Sequence, residues 1–422
     1  MPMKWLRLLL LVAIVLWVIL RAVILTFSWC GDQSPERNAK IQAHFTSEDI
    51  AKGITYHRNG FWARAVFPYL KVAFLLALAF SGVFQRWADF IAEKVGGGFW
   101  VASIFQIVSL YLLILLINFP YSLYVGYFGE KKMGFSTLDL SGWLWRYVKS
   151  VGIGIFIQTG GILLLLSLIK YFPRGWVILT PLGGTTFGIT ITLLVPVIIT
   201  PLFYTQTPVA DGPLRDRILE ISEKAVVPVK GVFQIDESKY SRHTNAYFTG
   251  LFSQKRIVLY DTLIKNSTVE EAALIFAHEV GHWQHDHVRK GLTLAFLGGF
   301  ALSLFIWALY PVCIKIPEFH LRELWHPGNL PLFFAFMSIF QLFLAPIEAQ
   351  ISQHFERQAD YASLELTGNT KAFIEAEQGL ARDNQTSLLP HPFLVFWLYS
   401  HPPTIDRIAM AESYSPSQGK LE

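Results

Sequence analysis

The chain has 422 residues, of which 53% are hydrophobic and only 16% are charged, and its mean hydropathy is +0.40. A soluble globular protein carries a larger charged fraction, so the composition excludes that class and indicates a membrane protein with several spans. The formal net charge of +4 comes without a dense run of Lys or Arg, and no nucleic-acid partner is expected. The two cysteines, Cys30 and Cys313, are predicted at opposite membrane faces, which excludes a disulfide between them and a cysteine metal site.

Seven apolar stretches are long enough to cross a hydrocarbon layer of ~30 Å. They cover residues 5–27, 61–84, 99–119, 151–172, 176–203, 292–314 and 330–347. The first stretch is long, contains Arg21 and leads into no small-residue cleavage site, so we interpret it as an uncleaved membrane helix. Lys and Arg are similarly frequent in the short loops of both sides, and the positive-inside rule therefore does not assign the orientation.

The spans divide the chain into regions 1–205, 206–290, 291–350 and 351–422. The first region holds five membrane helices with polar loops, and the third holds the sixth and seventh. The second is polar, and its pattern predicts an amphipathic helix at 214–226 and strands at 231–237 and 255–260. A further strand at 244–250 is predicted to pair with 256–259, which makes a small sheet.

An HExxH motif, formed by His278, Glu279 and His282, is the strongest chemical signal in the polar region. On a helix, histidines four residues apart project from one face, so both imidazoles can bind one metal ion while Glu279 lies beside it as a base. Ser267 and Thr268 each stand three residues before a glutamate, which predicts a helix start. The alternative is two solvated histidines on an ordinary helix, and it is weighed against the rest of the chain.

Two histidines do not complete a zinc site, so a third ligand is required. The pattern HExxHxxGxxH is excluded because position 285 is His and position 288 is Val. His285 lies about two helical turns from His278, too far for one tetrahedral set. His285 and His287 are therefore predicted to lie on the helix surface or behind the ligands.

A better third ligand lies beyond the seventh span, where a polar helical continuation runs to Gly368. Glu356 and Asp360 are four residues apart in it and share one face. This is the arrangement expected when one carboxylate binds zinc and the other orients a ligand histidine. A solvated acidic helix face is the alternative, and the pair gains its weight from the HExxH motif in the same chain.

Several blocks of the sequence together resemble the type I CAAX prenyl proteases, integral-membrane zinc endopeptidases with seven spans. The resemblance runs from the second span to Arg407, and the blocks occur in the family's order. These blocks are residues 120–124, 130–135, 245–248, 255–263, 278–283, 355–360 and 399–407.

The resemblance implies a mainly helical membrane fold in which seven transmembrane helices enclose a water-filled chamber, with a zincin-like catalytic domain that carries a small β-sheet. It implies one zinc ion per chain, bound by His278, His282 and Glu356, and peptide hydrolysis by a zinc-activated water. Asp360 is then the carboxylate that orients a ligand histidine.

The resemblance also assigns roles around the reacting peptide bond. Glu279 is implied as the catalytic base, and His401 with Arg407 as the pair that stabilises the oxyanion. An edge strand is implied to accept the substrate backbone by strand addition. That strand comprises Asn245, Ala246 and Tyr247.

The implied activity is removal of the C-terminal tripeptide of prenylated CAAX proteins, with a peptide or protein substrate that carries a lipid or lacks one, and with membrane lipid as a partner. The run from 327 to 356 is compact, and residues 419–422 carry no endoplasmic-reticulum retrieval signal, so we expect a bacterial inner-membrane protein, or an endoplasmic-reticulum protein if the source is eukaryotic. The main alternative is a membrane quality-control protease or scaffold acting on non-prenylated proteins.

Two further alternatives are disfavoured by the residues around the motif. A site-2-type intramembrane protease also uses HExxH, but the polar residues 265–271 precede the motif and no later span offers an LDG aspartate. A channel or metal transporter with a structural site would place ionisable ligands within its spans, where few occur.

Overall fold

The computed structural model describes residues 3–96, 98–227, 231–249 and 256–415. Within these ranges seven helices are long and apolar enough to cross a membrane, which confirms the number predicted from hydropathy. The candidate spans are Arg7–Cys30, Ser47–Phe80, Phe99–Lys132, Leu140–Tyr171, Trp176–Phe203, His287–Cys313 and Pro327–Thr367.

The described helices are α1 (Met3–Cys30), α2 (Pro35–His44), α3 (Ser47–Arg58), α4 (Phe61–Phe80), α5 (Val83–Lys94), α6 (Phe99–Tyr121), α7 (Glu130–Lys132), α8 (Leu140–Tyr171), α9 (Trp176–Leu194), α10 (Thr200–Phe203), α11 (Pro213–Lys224), α12 (Asp261–Asn266), α13 (Val269–Gln284), α14 (His287–Cys313), α15 (Leu330–Thr367), α16 (Thr370–Asp383), α17 (Pro392–Leu398) and α18 (Thr404–Ser413). Two π-helical segments, Ser122–Gly129 and Val195–Ile199, extend α6 and α9.

The ends of the membrane helices depend on local capping as well as on hydropathy. Helix α8 begins at Leu140 and not at the predicted 151, because the side chain of Asp139 accepts a hydrogen bond from the Gly142 N–H at 2.8 Å. Helix α4 ends at Phe80 and not at 84, because the chain turns at Gly82, whose φ of +64° favours glycine.

The polar region forms a four-stranded sheet in the order β1 (Gln206–Pro208), β2 (Val232–Ile235), β4 (Arg256–Tyr260) and β3 (Ala246–Thr249). Strand β2 runs parallel to β4, whereas the β1–β2 and β3–β4 pairs are antiparallel. Residue 246 lies opposite 259, so the predicted pairing of these strands is confirmed. Residues 250–255, between these two strands, lie outside the described residues, and the short strand β1 was not predicted.

The sheet packs against α11 and α13 through one apolar core. Ile218 of α11, Ile257 of β4, and Phe276 and Val280 of α13 are all buried in it. Helix α13 thereby has one face fixed against the sheet. Among the membrane helices, α8, α9, α14 and α15 line an apolar cavity of about 510 Å³.

Candidate active site

The helix that carries the HExxH motif begins with a capping box. Thr268 Oγ1 accepts the Glu271 N–H at 3.3 Å, and the Glu271 carboxylate accepts the Thr268 N–H at 2.6 Å. Both contacts satisfy backbone donors that the first helical turn leaves free. Of the two candidate capping residues, Thr268 is therefore the one that starts α13.

The second helix of the site, α15, runs without interruption for 38 residues and ends at Gly368, which adopts a left-handed conformation. It crosses α13 in close contact at Gly281. A Cβ atom at residue 281 would lie 2.9 Å from both the Cα and the carbonyl oxygen of Ala359. Only glycine fits without moving the two backbones apart, so this contact places Glu356 next to the histidines.

Three side chains with potential ligand atoms converge between α13 and α15. The Nε2 atoms of His278 and His282 are 3.1 Å apart. Glu356 Oε2 lies 3.2 Å from the first of these nitrogens, and Oε1 lies 3.4 Å from the second. Among the described residues, these three side chains form the one group of His, Cys, Asp or Glu with the spacing of a metal site.

The donor set fits a zinc ion. Zinc bonds of ~2.0–2.2 Å at the tetrahedral angle place neighbouring ligand atoms about 3.3–3.6 Å apart, close to the separations of these atoms. Glu356 is 6% exposed, and its buried Oε2 accepts no hydrogen bond of good geometry from the described residues, although His278 Nε2 lies 3.2 Å away. A buried carboxylate oxygen in that condition is costly unless a cation binds it.

Behind His278 lies a chain of buried charges. His278 Nδ1 is 2.8 Å from Asp360 Oδ1, and both oxygens of Asp360 accept hydrogen bonds from Arg407. Arg407 Nη1 in turn lies 2.8 Å from Glu377 Oε1. Asp360 and Glu377 are both buried. Burial raises the pKa of Glu377 to about 7 against the opposing charge of Arg407, while Asp360 and Glu377 keep the pKa of Arg407 raised despite its burial.

His282 has a different environment. Its Nδ1 lies 2.9 Å from His287 Nδ1, and His287 Nε2 lies 2.9 Å from the amide oxygen of Gln358. His287 is buried and stacks on Phe355 with ring centroids 4.2 Å apart. The predicted alternatives for His287 were the helix surface and a place behind the ligands, and the structure places it behind His282. His285 is half-buried at the end of α13.

The two candidate ligand histidines also differ in pKa. Burial opposes a charge on His278, yet the neighbouring carboxylates of Asp360 and Glu356 outweigh that effect and raise its pKa to about 10. Burial and the charge of His278 together lower the pKa of His282 to about 4. In the metal-free protein at neutral pH, His278 is therefore protonated, and a metal must displace that proton to bind.

The two residues implied as oxyanion donors lie in different places. His401 Nε2 is 3.3 Å from Glu356 Oε2, the ring is exposed, and its Nδ1 is 2.8 Å from Ser400 Oγ. Arg407 directs its guanidinium to Asp360 and Glu377. The structure therefore brings His401 to the three candidate ligands, whereas Arg407 contacts the site through Asp360.

The candidate substrate strand is at the edge of the sheet. Strand β3 pairs with β4 on one side only, and its other edge has no strand partner among the described residues. Asn245, just before β3, is exposed, Ala246 is buried and Tyr247 is half-buried. Such an edge can accept an extended peptide through main-chain hydrogen bonds.

The segment that leads into β3 is fixed by contacts outside the sheet. His243 stacks on Phe135 with ring centroids 3.9 Å apart, and its Nε2 and Nδ1 lie 3.0 Å from Glu130 and Asn384, respectively. Burial opposes the charge of His243, but the hydrogen bonds to Glu130 and Asn384 raise its pKa. The loop between α7 and α8 therefore fixes the start of the edge strand.

Fold and site together define an integral-membrane metalloprotease, and comparisons with known proteins agree. Residues 33–205 match the family of the CAAX prenyl protease N-terminal region with five membrane helices, and residues 208–415 match peptidase family M48. The chain is 30% identical to the uncharacterized metalloprotease YhfN of Bacillus subtilis over 79% of each chain. It is 30% identical to CAAX prenyl protease 1 of Saccharomyces cerevisiae over 71% of this chain and 70% of that protein.

The chain belongs to peptidase family M48, with relatives named CAAX prenyl protease 1. A solved structure supports the fold independently. The crystal structure of S. mikatae Ste24p covers 97% of this chain and 98% of its own with a TM-score of 0.81, at 24% identity. The predicted fold class, a membrane metalloprotease with seven helices and a small sheet, is confirmed.

Two residues of the site, Glu377 and Gln358, were not assigned by the sequence, and for His287 the sequence left two alternatives open. Glu377 is a buried acid on α16, and Gln358 and His287 form the support of His282. The signal for Glu377 is its position among the buried residues 372, 373, 376 and 381 of that helix. No motif spacing relates Gln358 to the histidines. Its contact with His287 depends on how α15 packs against the start of α14.

Proposed function

We propose that the chain is a zinc metalloendopeptidase that holds one zinc ion per chain on His278, His282 and Glu356. The observation that carries this proposal is the convergence of three side chains, two imidazoles and a buried carboxylate, whose nearest atoms are 3.1–3.4 Å apart. When bound, zinc supplies a Lewis acid that polarises the peptide carbonyl and lowers the pKa of a water molecule towards ~7.

Glu279 is proposed as the general base. It follows His278 on α13, is half-buried and is not among the three side chains whose potential ligand atoms converge. It accepts the proton of the attacking water and returns it to the leaving amine. His401, whose Nε2 lies 3.3 Å from Glu356, donates a hydrogen bond to the carbonyl oxygen as negative charge develops there.

For Arg407 the geometry supports a different role from the one that the resemblance implies. Its guanidinium forms hydrogen bonds with both oxygens of Asp360 and an ion pair with Glu377. We therefore assign Arg407 to the positioning of Asp360, which in turn orients His278, and leave His401 as the proposed oxyanion donor. A positioning residue of this kind keeps the imidazole in place while the charge in the site changes.

The substrate is proposed to be a protein whose C-terminal segment binds in extended form along residues 245–247. The unpaired edge of β3 supports this proposal, because strand addition reads main-chain groups and tolerates varied side chains. The relatives named CAAX prenyl protease 1 favour a prenylated C-terminus. The relative in Bacillus subtilis shows that similar chains occur in bacteria, and a bacterial member would lie in the cytoplasmic membrane.

The experiment that tests the catalytic assignment compares the purified enzyme with Glu279→Gln. We expect the variant to retain one zinc per chain and to lose peptidase activity, because the amide cannot accept the proton of water. Activity is measured on prenylated and non-prenylated peptides with a chelator control. Full activity of zinc-loaded Glu279→Gln would refute the base, and equal cleavage of both peptides would refute the prenylated substrate class.

A further inference from the structure

We propose that His287 and Gln358 are positioning residues that hold His282 in the tautomer whose Nε2 lone pair faces the metal site. The inference rests on the proposed zinc site and deepens it. Neither residue is itself a proposed ligand. Their effect on the metal is transmitted through the imidazole of His282.

The contacts form a linear chain from α15 back to α13. Gln358 Oε1 lies 2.9 Å from His287 Nε2, and His287 Nδ1 lies 2.9 Å from His282 Nδ1. His287 is 6% exposed, and its ring is stacked on Phe355 at an interplanar angle of 10°. A ring held in this way has a single orientation towards His282.

The positions of the hydrogen atoms in this series of hydrogen bonds follow from the acceptor at its end, the amide oxygen of Gln358. An amide oxygen can only accept, so His287 Nε2 must donate its hydrogen to Gln358. A second hydrogen on Nδ1 would make His287 a buried cation whose two ring nitrogens contact an amide and an imidazole, neither of them anionic. His287 Nδ1 is therefore an acceptor, and His282 Nδ1–H donates to it.

This assignment leaves the lone pair of His282 on Nε2. That atom is the one that lies 3.1 Å from His278 Nε2 and 3.4 Å from Glu356 Oε1. In the opposite tautomer Nε2 would carry the hydrogen and could not bind a metal. The hydrogen bonds that begin at Gln358 thus hold His282 in its metal-binding tautomer before a metal binds.

Neutral support also limits the negative charge of the site. Glu356 and Asp360 already contact His278 with carboxylates, and a further carboxylate behind His282 would weaken the polarising effect of the metal. A neutral acceptor fixes the tautomer as a carboxylate would, without that charge. The two histidines can therefore be ordered by hydrogen bonds without a further negative charge behind His282.

The test measures zinc affinity of the full-length, metal-free enzyme in detergent by competition with a chelating indicator. His287→Phe keeps a ring to stack on Phe355 but removes the acceptor, and His287→Asn restores an acceptor close to the position of Nδ1. Gln358→Met removes the far end of the chain. His285→Phe is the matched control, since it places the same ring two residues away on the same segment.

We expect His287→Phe to weaken zinc binding about tenfold, at the lower end of the range for residues that orient a ligand. His287→Asn should stay within about threefold of the wild type, Gln358→Met should fall between the two, and His285→Phe should match the wild type. Wild-type affinity in His287→Phe would overturn the proposal. Equal losses in the Phe and Asn variants would also overturn it, because packing and not the acceptor would then be responsible.

A second readout is independent of metal and of activity. Nitrogen-15 NMR of histidine-labelled, metal-free enzyme should give His282 as the Nδ1–H tautomer, and His287→Phe should lose that signal. A wild-type His282 that carries its hydrogen on Nε2 would contradict the proposal. If the wild type itself binds no zinc, the proposed function fails, whereas the NMR result still decides the tautomer.

Discussion

The two ligand histidines stand one turn apart on α13, yet the protein supports them by opposite means. Behind His278 is an ionic arm, made of Asp360, Arg407 and Glu377. Behind His282 is a neutral arm, made of His287 and Gln358. Each arm contains one residue of α15, Asp360 in the ionic arm and Gln358 in the neutral arm, so the contact of α15 with Gly281 aligns both at once.

The two arms differ in the free-energy cost of removing one partner. Removing one charge from the ionic arm leaves a buried charge without its counterpart, which costs more than a lost hydrogen bond. Removing a group from the neutral arm leaves one unsatisfied donor or acceptor. The ionic arm should therefore dominate metal affinity, and the neutral arm should adjust it.

The largest effect is expected for Asp360→Ala, which breaks the ionic arm at its centre. His278 loses its acceptor and Arg407 loses its main partner, so zinc affinity should fall about 100-fold, at the upper end for residues that orient a ligand. Chelator competition in detergent measures the loss. The account predicts a larger loss than for His287→Phe.

Asp360→Asn sharpens the same comparison, because the amide keeps an acceptor for His278 Nδ1 but removes the charge. We expect a loss of zinc affinity between that of the wild type, which is zero, and that of Asp360→Ala. If Asp360→Asn matches the wild type, then charge has no part in the ionic arm and the contrast between the arms disappears.

A smaller effect is expected for Glu377→Gln, at the far end of the ionic arm, and it concerns the pH dependence of stability. Burial raises the pKa of Glu377 to about 7 from an ordinary value of 4.5, so the folded state binds more protons than the unfolded state between these pH values. The stability of the metal-free enzyme should therefore fall as pH rises from about 4.5 to about 7. The Gln variant should lose that part of the pH dependence.

Thermal unfolding of both metal-free proteins across pH 4–8 measures this difference. The comparison between variants cancels groups that titrate in both, including the histidines. If the melting temperatures of the wild type and Glu377→Gln change in parallel with pH, this carboxyl does not carry the raised pKa.

Much of the fold could be predicted from the sequence, because hydropathy over twenty residues and helical spacing are local signals. The seven spans, helix α13 and the continuation of α15 past Glu356 all follow from such patterns. The start of α8 did not, because an Asp139 cap overrides hydropathy there. Strand β1 is three residues long and depends on its partner β2.

The residues of the site divide in the same way, into those with a local sequence signal and those that depend on tertiary packing. His278, His282 and Glu356 are named by spacing within single helices together with a family resemblance, and the structure brings them together. Glu377 and Gln358 depend on how α13, α15, α16 and α18 cross, which no local pattern encodes. The position of Arg407 behind Asp360 also required the tertiary structure.

The most direct test of the account is metal analysis of the purified enzyme beside Glu356→Ala. The account predicts one zinc per chain in the wild type, bound by two imidazole nitrogens and carboxylate oxygen in X-ray absorption spectra, and a greatly lowered zinc content in the variant. Unchanged zinc stoichiometry in Glu356→Ala would contradict the three-ligand site on which the mechanism depends.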